Sequence, residues 1–287
     1  MQFGIESLPY HDYAFEVMVQ EVSRLGFRGV NVWSSAPPLA SHVDVVKDDP
    51  WEVGRRLERF GLKATALTMY GKSVEEITEG IPFAVALGAR RVIFDCEANY
   101  SVFVTSFLPP LLAVAERNGI DICVENHLTV PFTSDFEHGG HEGERWEEGV
   151  DTFAQIKRLV TDVDHPNLKL CLAPPHLWVM GEHVAQVALF LLERRKLGFV
   201  YVWDISRSYQ RGKDGLNFGP GEEQLPRLGG TLDHGVLLRA LANAGYRGWA
   251  SLKCHGTAGW PLDKVTQLLR QSREHVLDSV GTGVFDA

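Results

Sequence analysis

The 287-residue sequence lacks the marks of several protein classes. Its first residues, MQFGIESLPY, hold neither a basic stretch nor an apolar run, so no secretion signal is expected and a cytoplasmic location is. No apolar run approaches the roughly 20 residues that span a bilayer, so no membrane association is expected. Basic residues are outnumbered, 28 Lys and Arg against 37 Asp and Glu, for a net charge of −9. With no basic run to offset that balance, a nucleic-acid partner is not expected. Cysteine is scarce: Cys96, Cys123, Cys171 and Cys254 form no spaced framework and read as buried, reduced thiols in strand-like segments. Absent too are a nucleophile elbow and, after the first strand-like stretch, a Gly-rich phosphate loop; the segment there is SLPYHD.

What is present is alternation. Strand-like stretches at 3–7, 29–33, 62–69, 90–96, 120–125, 167–173, 199–204 and 249–254 are each followed by an amphipathic, helix-like stretch. Those helices fall at 11–25, 51–60, 74–87, 103–117, 152–163, 183–196, 233–244 and 262–277, and several stop at a glycine. The fourth is expected to be irregular at its start, because Pro109-Pro110 fits only a first helical turn. Strands alternating with helices imply parallel strands joined by right-handed crossovers. Eight such units in a chain of this length give a single (β/α)8 barrel domain over 1–287. Two connections are long, 126–151 and 205–232, and both leave the C-terminal ends of strands, the face where barrels of this kind bind ligands.

The stretch 122–127, ICVENH, carries most information. An apolar strand buried on both sides leaves a carboxylate no cheap place in its middle, so Glu125 belongs at the strand's C-terminal end, facing a cavity or a partner.

Four segments together resemble the xylose isomerase-like TIM-barrel superfamily of sugar isomerases, epimerases and dehydratases. They are LGFRGVNVW at 25–33, ICVENH, NLKLCLAPPHLWVMGEHV at 167–184, and LGGTLDHGVLLRALANAGYRGWASLK at 228–253. The resemblance implies a barrel holding one divalent metal on Glu, Asp or Glu, His and Glu, at the ends of strands five to eight. It also implies a carbohydrate, polyol or cyclic hydroxy-ketone as small-molecule substrate, and proton transfer next to a carbonyl. Carried over position by position, that quartet falls on Glu125, Ala173, Tyr201 and Lys253, so one ligand survives and a cation replaces an anion. An ammonium beside a divalent ion is repelled strongly at low effective dielectric.

Three readings follow from this departure. Lys253 can supply the metal's positive charge in a metal-free isomerase, epimerase or lyase, with Glu125 and His176 as the other catalytic groups. A metal such as Mn, Zn, Co, Mg or Fe can instead sit on a relocated set of Glu125, His127, His176 and His255. Third, the barrel can be a non-catalytic ligand-binding or partner subunit, with Glu125 and Lys253 as a structural ion pair. A homo-oligomer or partner chain completing the site is compatible with each. Tyr201 and Trp203, two apart on one strand, suit either packing or a stacking wall, as do Trp33, Met69 and Tyr70 at other strand ends. Asp204, Arg207, His127 and His255 are the remaining candidates for substrate contacts, with Arg211 a more distant one; a solvated surface role competes for the arginines. His138 and His141 lie among Gly and Glu and read as solvated.

Overall fold

The structure is a computed structural model that describes residues 1–37, 39, 41–96, 99–127, 150–209 and 218–285. Eight parallel strands close in sequence order, with β1 (Gln2–Glu6) bonded to both β2 (Gly29–Trp33) and β8 (Trp249–Leu252). Between them lie β3 (Lys63–Thr68), β4 (Arg91–Asp95), β5 (Asp121–Glu125), β6 (Leu168–Leu172) and β7 (Leu197–Val202). The crossovers carry α1 (Phe15–Arg24), α2 (Pro50–Arg59), α3 (Val74–Ala86), α4 (Leu108–Asn118), α5 (Phe153–Asp162), α6 (Val184–Glu193), α7 (His234–Asn243) and α8 (Leu262–Val280). The sequence-based (β/α)8 expectation therefore holds strand for strand.

Side-chain alternation divides the core in two. Outward-facing Val30, Val32, Leu67, Val92, Val124, Leu170, Val200 and Leu252 pack under the helices. Inward-facing Ala66, Ile93, Cys123, Cys171 and Phe199 fill the middle of the barrel, all wholly buried. Below them Trp249 closes the floor, and only a glycine at position 29 leaves room for it. A Cβ there would lie 2.4–2.6 Å from Thr65 and Trp249 side-chain atoms. None of the four cysteines is in a disulfide; Cys123, Cys171 and Cys254 are buried, and Cys96 lies half-buried just past β4.

The helix starts and stops follow local chemistry. Ser73 and Glu76 form a reciprocal capping box at α3, and Thr152 and Gln155 do so at α5. Gly119 takes a left-handed conformation (φ 63°) to end α4 and turn the chain into β5. Before α4, residues Phe103–Phe107 form a π-helical stretch after a short turn at Tyr100–Val102, which bears out the expected irregularity. Pro109 and Pro110 have no N–H to give the preceding turn, so that turn widens.

Sequence patterning missed three short helices: Leu8–Tyr10, Pro174–Val179 and Gly221–Gln224. Each is too short for periodicity to register, and the first two hold prolines that also read as loop. In consequence α1 begins at Phe15, and His176 sits on a helical turn beyond β6 rather than at a strand end. The His138 and His141 segment and Arg211 lie outside the described residues. Among the described residues, no helix is long and apolar enough to cross a membrane.

Asn126 ties the C-terminal ends of β5 and β6 together. Its Nδ2 donates to the Ala173 carbonyl at 3.0 Å, and its Oδ1 accepts from the Ala173 N–H at 2.7 Å. Asn126→Ala leaves both buried backbone groups without those partners. It is expected to lower unfolding stability by about 2 kcal/mol or more, read from the shift in urea midpoint.

Candidate functional site

One level above the apolar middle, the inward side chains turn polar. Glu6, Asn31, Thr68, Asp95, Glu125, Tyr201 and Lys253 come from seven of the strands or from just past their ends. Of these, all but the partly covered Asp95 are wholly or almost wholly buried. Lys253 Nζ donates to Glu125 Oε1 at 3.2 Å, across the barrel from β8 to β5. The Tyr70 hydroxyl donates a short hydrogen bond to the other oxygen, Oε2. Tyr70 Oη lies 3.0 Å from Tyr201 Oη, which is 3.4 Å from Thr68 Oγ1. Burial and the Glu125 charge push the Tyr70 phenol well above its usual range, so it remains a proton donor at neutral pH.

Lys253 is enclosed by aromatic faces. Its Nζ lies 4.0 Å from the Tyr201 ring centre and 5.4 Å from those of Trp33, Tyr70 and Trp203. Ring faces carry negative potential, so four of them replace part of the hydration that a buried ammonium has lost. This gives Trp33, Tyr201 and Trp203 one shared physical role.

Three imidazoles lie above the ion pair. His176 Nε2 is 3.7 Å from Glu125 Oε1, and its ring packs on His127 at 4.5 Å and on Trp203 and Phe218 at 5.3 Å. Burial and neighbouring positive charge hold His176 well below the usual imidazole range, so it is neutral; its buried Nδ1 has no hydrogen-bond partner among the described residues. His255 packs on Trp203 at 5.4 Å and Trp33 at 6.1 Å, and burial together with Lys253 likewise keeps it neutral. His127 is part-exposed at the rim, with Nδ1 3.9 Å from Asp95 Oδ2. Burial and the adjacent Glu125 charge push the Asp95 carboxyl up to about 7.

Asp204 and Arg207 stand apart from this cluster. Asp204 Oδ1 accepts from the Ile205 and Leu232 N–H groups, and Oδ2 from that of Thr231, at 2.8–3.1 Å. Most of the acceptor capacity of its carboxylate is thereby used in holding the loop after β7. Arg207 is exposed and donates to the Gly230 carbonyl at 3.0 Å in the same loop. That loop is further held by Gln224, which accepts the His255 N–H at 2.9 Å, and it sets Phe218 against Trp203.

The residues do not fit a divalent metal. The place at the end of β8 is taken by an ammonium already bonded to Glu125. The relocated set of Glu125, His127, His176 and His255 does not converge: His127 Nδ1 faces Asp95, and the His255 ring packs between tryptophans. Among the described residues, no three His, Cys, Asp or Glu side chains are grouped to hold an ion.

Sequence reading singled out Glu125, Lys253 and His176, which do meet. It passed over Glu6, Asn31, Thr68 and Asp95, and took Tyr70 only for one aromatic among others. Glu6 and Asp95 each end an apolar strand, as Glu125 does, and the argument applied to Glu125 extends to them.

Residues 19–277 match the family described as xylose isomerase-like TIM barrel. No curated protein matches the sequence. Similar solved structures include the probable 3-DHS dehydratase of petrobactin synthesis from Bacillus anthracis, 16% identical over 96% of this chain and 98% of that one, with a TM-score of 0.67. The IOLI protein with a bound zinc atom is 14% identical over 98% of each chain, with a TM-score of 0.70. An L-ribulose 3-epimerase is 16% identical over 97% of this chain and 94% of its own, with a TM-score of 0.67. At these identities the likeness is one of fold, while the sequence match covers all but the ends of the chain: the protein belongs to the xylose isomerase-like TIM-barrel family.

Proposed function

We propose that the protein is an isomerase, epimerase or lyase that moves a proton next to the carbonyl of a carbohydrate, polyol or cyclic hydroxy-ketone, with the Lys253 ammonium in the role of a metal. One observation carries this reading: Glu125 holds an ammonium on one oxygen and a phenol on the other, at the C-terminal mouth of the barrel. The names of the similar structures, a dehydratase and sugar 3-epimerases, support the reaction class.

The chemistry follows from the charges. Glu125 takes the proton from the carbon beside the carbonyl, and the C–H electron pair moves into an enolate. The Lys253 ammonium, released from its carboxylate as Glu125 becomes neutral, stabilises the enolate oxygen. The Tyr70 phenol and the neutral His176 imidazole supply hydrogen bonds and a route for the proton's return. The surrounding rings keep the local dielectric low, which strengthens each of these interactions. In this reading His127 and His255, above the ion pair, meet the substrate.

A second reading has its own support. Glu125 and Lys253 are 0% and 1% exposed, as a structural ion pair in a non-catalytic barrel would be. The two readings differ in what mutation does. For the enzyme, ketoses and cyclic hydroxy-ketones incubated in heavy water exchange the proton next to the carbonyl, followed by NMR. Glu125→Gln and Lys253→Met are each expected to slow that exchange by about 10²–10⁴-fold. Lys253→Met also strands a buried carboxylate, at a cost of about 3–5 kcal/mol, so melting temperature falls in either reading. Only the structural reading has the charge-reversed pair, Glu125→Lys with Lys253→Glu, recover stability with no exchange found in the wild type.

Dialysis against a chelator is expected to leave exchange unchanged, and elemental analysis to find no stoichiometric Mn, Zn, Co, Mg or Fe. Bound metal at one per chain, with exchange lost on its removal, counts against Lys253 as the metal's substitute.

A further inference from the structure

Three carboxyls but one ammonium share the mouth: Glu6 and Glu125 are wholly buried, and Asp95 is partly covered at the rim. Glu6 ends β1 and Glu125 ends β5, on opposite walls of the barrel, while Lys253 comes from β8 beside β1. Glu6, Glu125 and Lys253 are 0%, 0% and 1% exposed. The ammonium donates to Glu125 Oε1 at 3.2 Å. Glu6 receives only neutral donors, Trp33 Nε1 at 2.8 Å and Asn31 Nδ2 at 2.6 Å, and both bind the same oxygen, Oε2. Its Oε1 is buried and forms no hydrogen bond of good geometry among the described residues; the one further group that acts on the carboxyl as a donor is the neutral Ser251 hydroxyl, itself buried and unpaired. Leaving a charged carboxylate buried with a bare oxygen costs far more than leaving a carboxylic acid there.

We propose that Glu6 is a positioning residue for the reaction, an uncharged carboxylic acid that leaves the whole Lys253 charge to Glu125 and then to the enolate. This rests on the proton-transfer reading above. Before the step, the ammonium faces the Glu125 carboxylate. During it, the proton passes from carbon to Glu125 and the electron pair to the enolate oxygen, so the ammonium now faces an enolate. The mouth is neutral before and after only while Glu6 keeps its proton, as Asp95 at the rim does below about 7. An ionised Glu6 adds a second negative charge to a dry site with one cation, and the enolate is disfavoured.

The surroundings agree. Burial pushes Glu6 up to about 8 and the Glu125 charge adds to the rise, while the Ser251 hydroxyl, the Trp33 N–H and the Lys253 charge act against it without cancelling it. The other titratable groups that sense Glu6 are Tyr201 and Cys171, and burial pushes both well above their usual ranges, so neither brings a charge. Asn31 extends the contact, donating also to Thr68 Oγ1 at 2.8 Å, and Thr68 leads through Tyr201 to Tyr70 and Glu125.

The test is a pH titration of the intact protein labelled with carbon-13 at its glutamate side-chain carboxyls, read by NMR. One carboxyl titrating near pH 8 is expected, and it should vanish in Glu6→Gln. Glu6→Asp, which carries no glutamate label at that place, assigns the signal should the Gln variant not fold. If every glutamate titrates near the ordinary 4.5, the proposal is overturned.

Linkage gives a second readout. The folded state keeps a proton that the unfolded chain releases near 4.5, so this contribution to stability is whole below that pH and lost as pH rises through about 8. Asp95, pushed up to about 7, adds a decline of its own below that pH, so Glu6→Gln should shrink the fall in melting temperature and remove the part between about 7 and 8; an unchanged fall speaks against Glu6 as its source.

The third readout is the proton exchange itself. In the wild type it should fall as pH rises through about 8, and the ratio of exchange above to below that pH should increase in Glu6→Gln whatever its absolute rate. A variant that keeps the wild-type alkaline fall overturns the proposal. If the wild type exchanges no probe, the proton-transfer reading has failed, and the carbon-13 titration still decides where the Glu6 proton lies.

Discussion

A carboxylate and an ammonium taken from opposite sides of a barrel and brought within 3.2 Å of each other, with almost no exposure to water, must be accommodated by everything around them. Desolvating either charge alone costs several kcal/mol, and the pairing recovers that only if the remaining lone pairs and faces are used. Here they are. The free side of Glu125 takes the Tyr70 hydroxyl, and the free sides of Lys253 take four aromatic rings. The neutrality of His176 and His255 and the proton on Tyr70 follow from the same burial. The upper interior of this barrel is thus one electrostatic unit and not a collection of independent residues.

The barrel itself was legible because its determinants are local. Apolar runs of strand length, helices of amphipathic period and glycine stops such as Gly119 each act over a few residues, and eight repetitions leave few topologies open. The ion pair was legible for a related reason: a charge at the end of an apolar strand has little choice of surroundings. Glu125 and Lys253 could be placed from that rule together with the family resemblance.

What escaped was whatever depends on the third dimension. The place of Asp204 after β7 points it to the mouth, and its sequence gives no sign that three backbone N–H groups of its own loop bind its oxygens. That loop's path is a tertiary fact with no trace in local sequence. His127 and His255 share strand faces with Glu125 and Lys253, so a metal set was a fair inference from parity alone. Among the described residues, the contacts of those rings, with Asp95 for His127 and with the tryptophans for His255, do not gather them with Glu125 and His176 around one point. The π-helical stretch before Pro109-Pro110 shows the opposite case, where a missing N–H announces the irregularity in advance.

The floor of the barrel has a consequence of its own. Trp249 fitted over Gly29, together with the wholly buried layer of Ala66, Ile93, Cys123, Cys171 and Phe199 above it, makes the interior a dead end. Whatever arrives at the polar layer has come in at the top and must leave by the same doorway. In the proposed reaction, substrate and product would share that one threshold, each blocking the other's passage while it is held. The proton shift proposed above would then be slowed by its own product at that doorway, and clearing the product outside would free it.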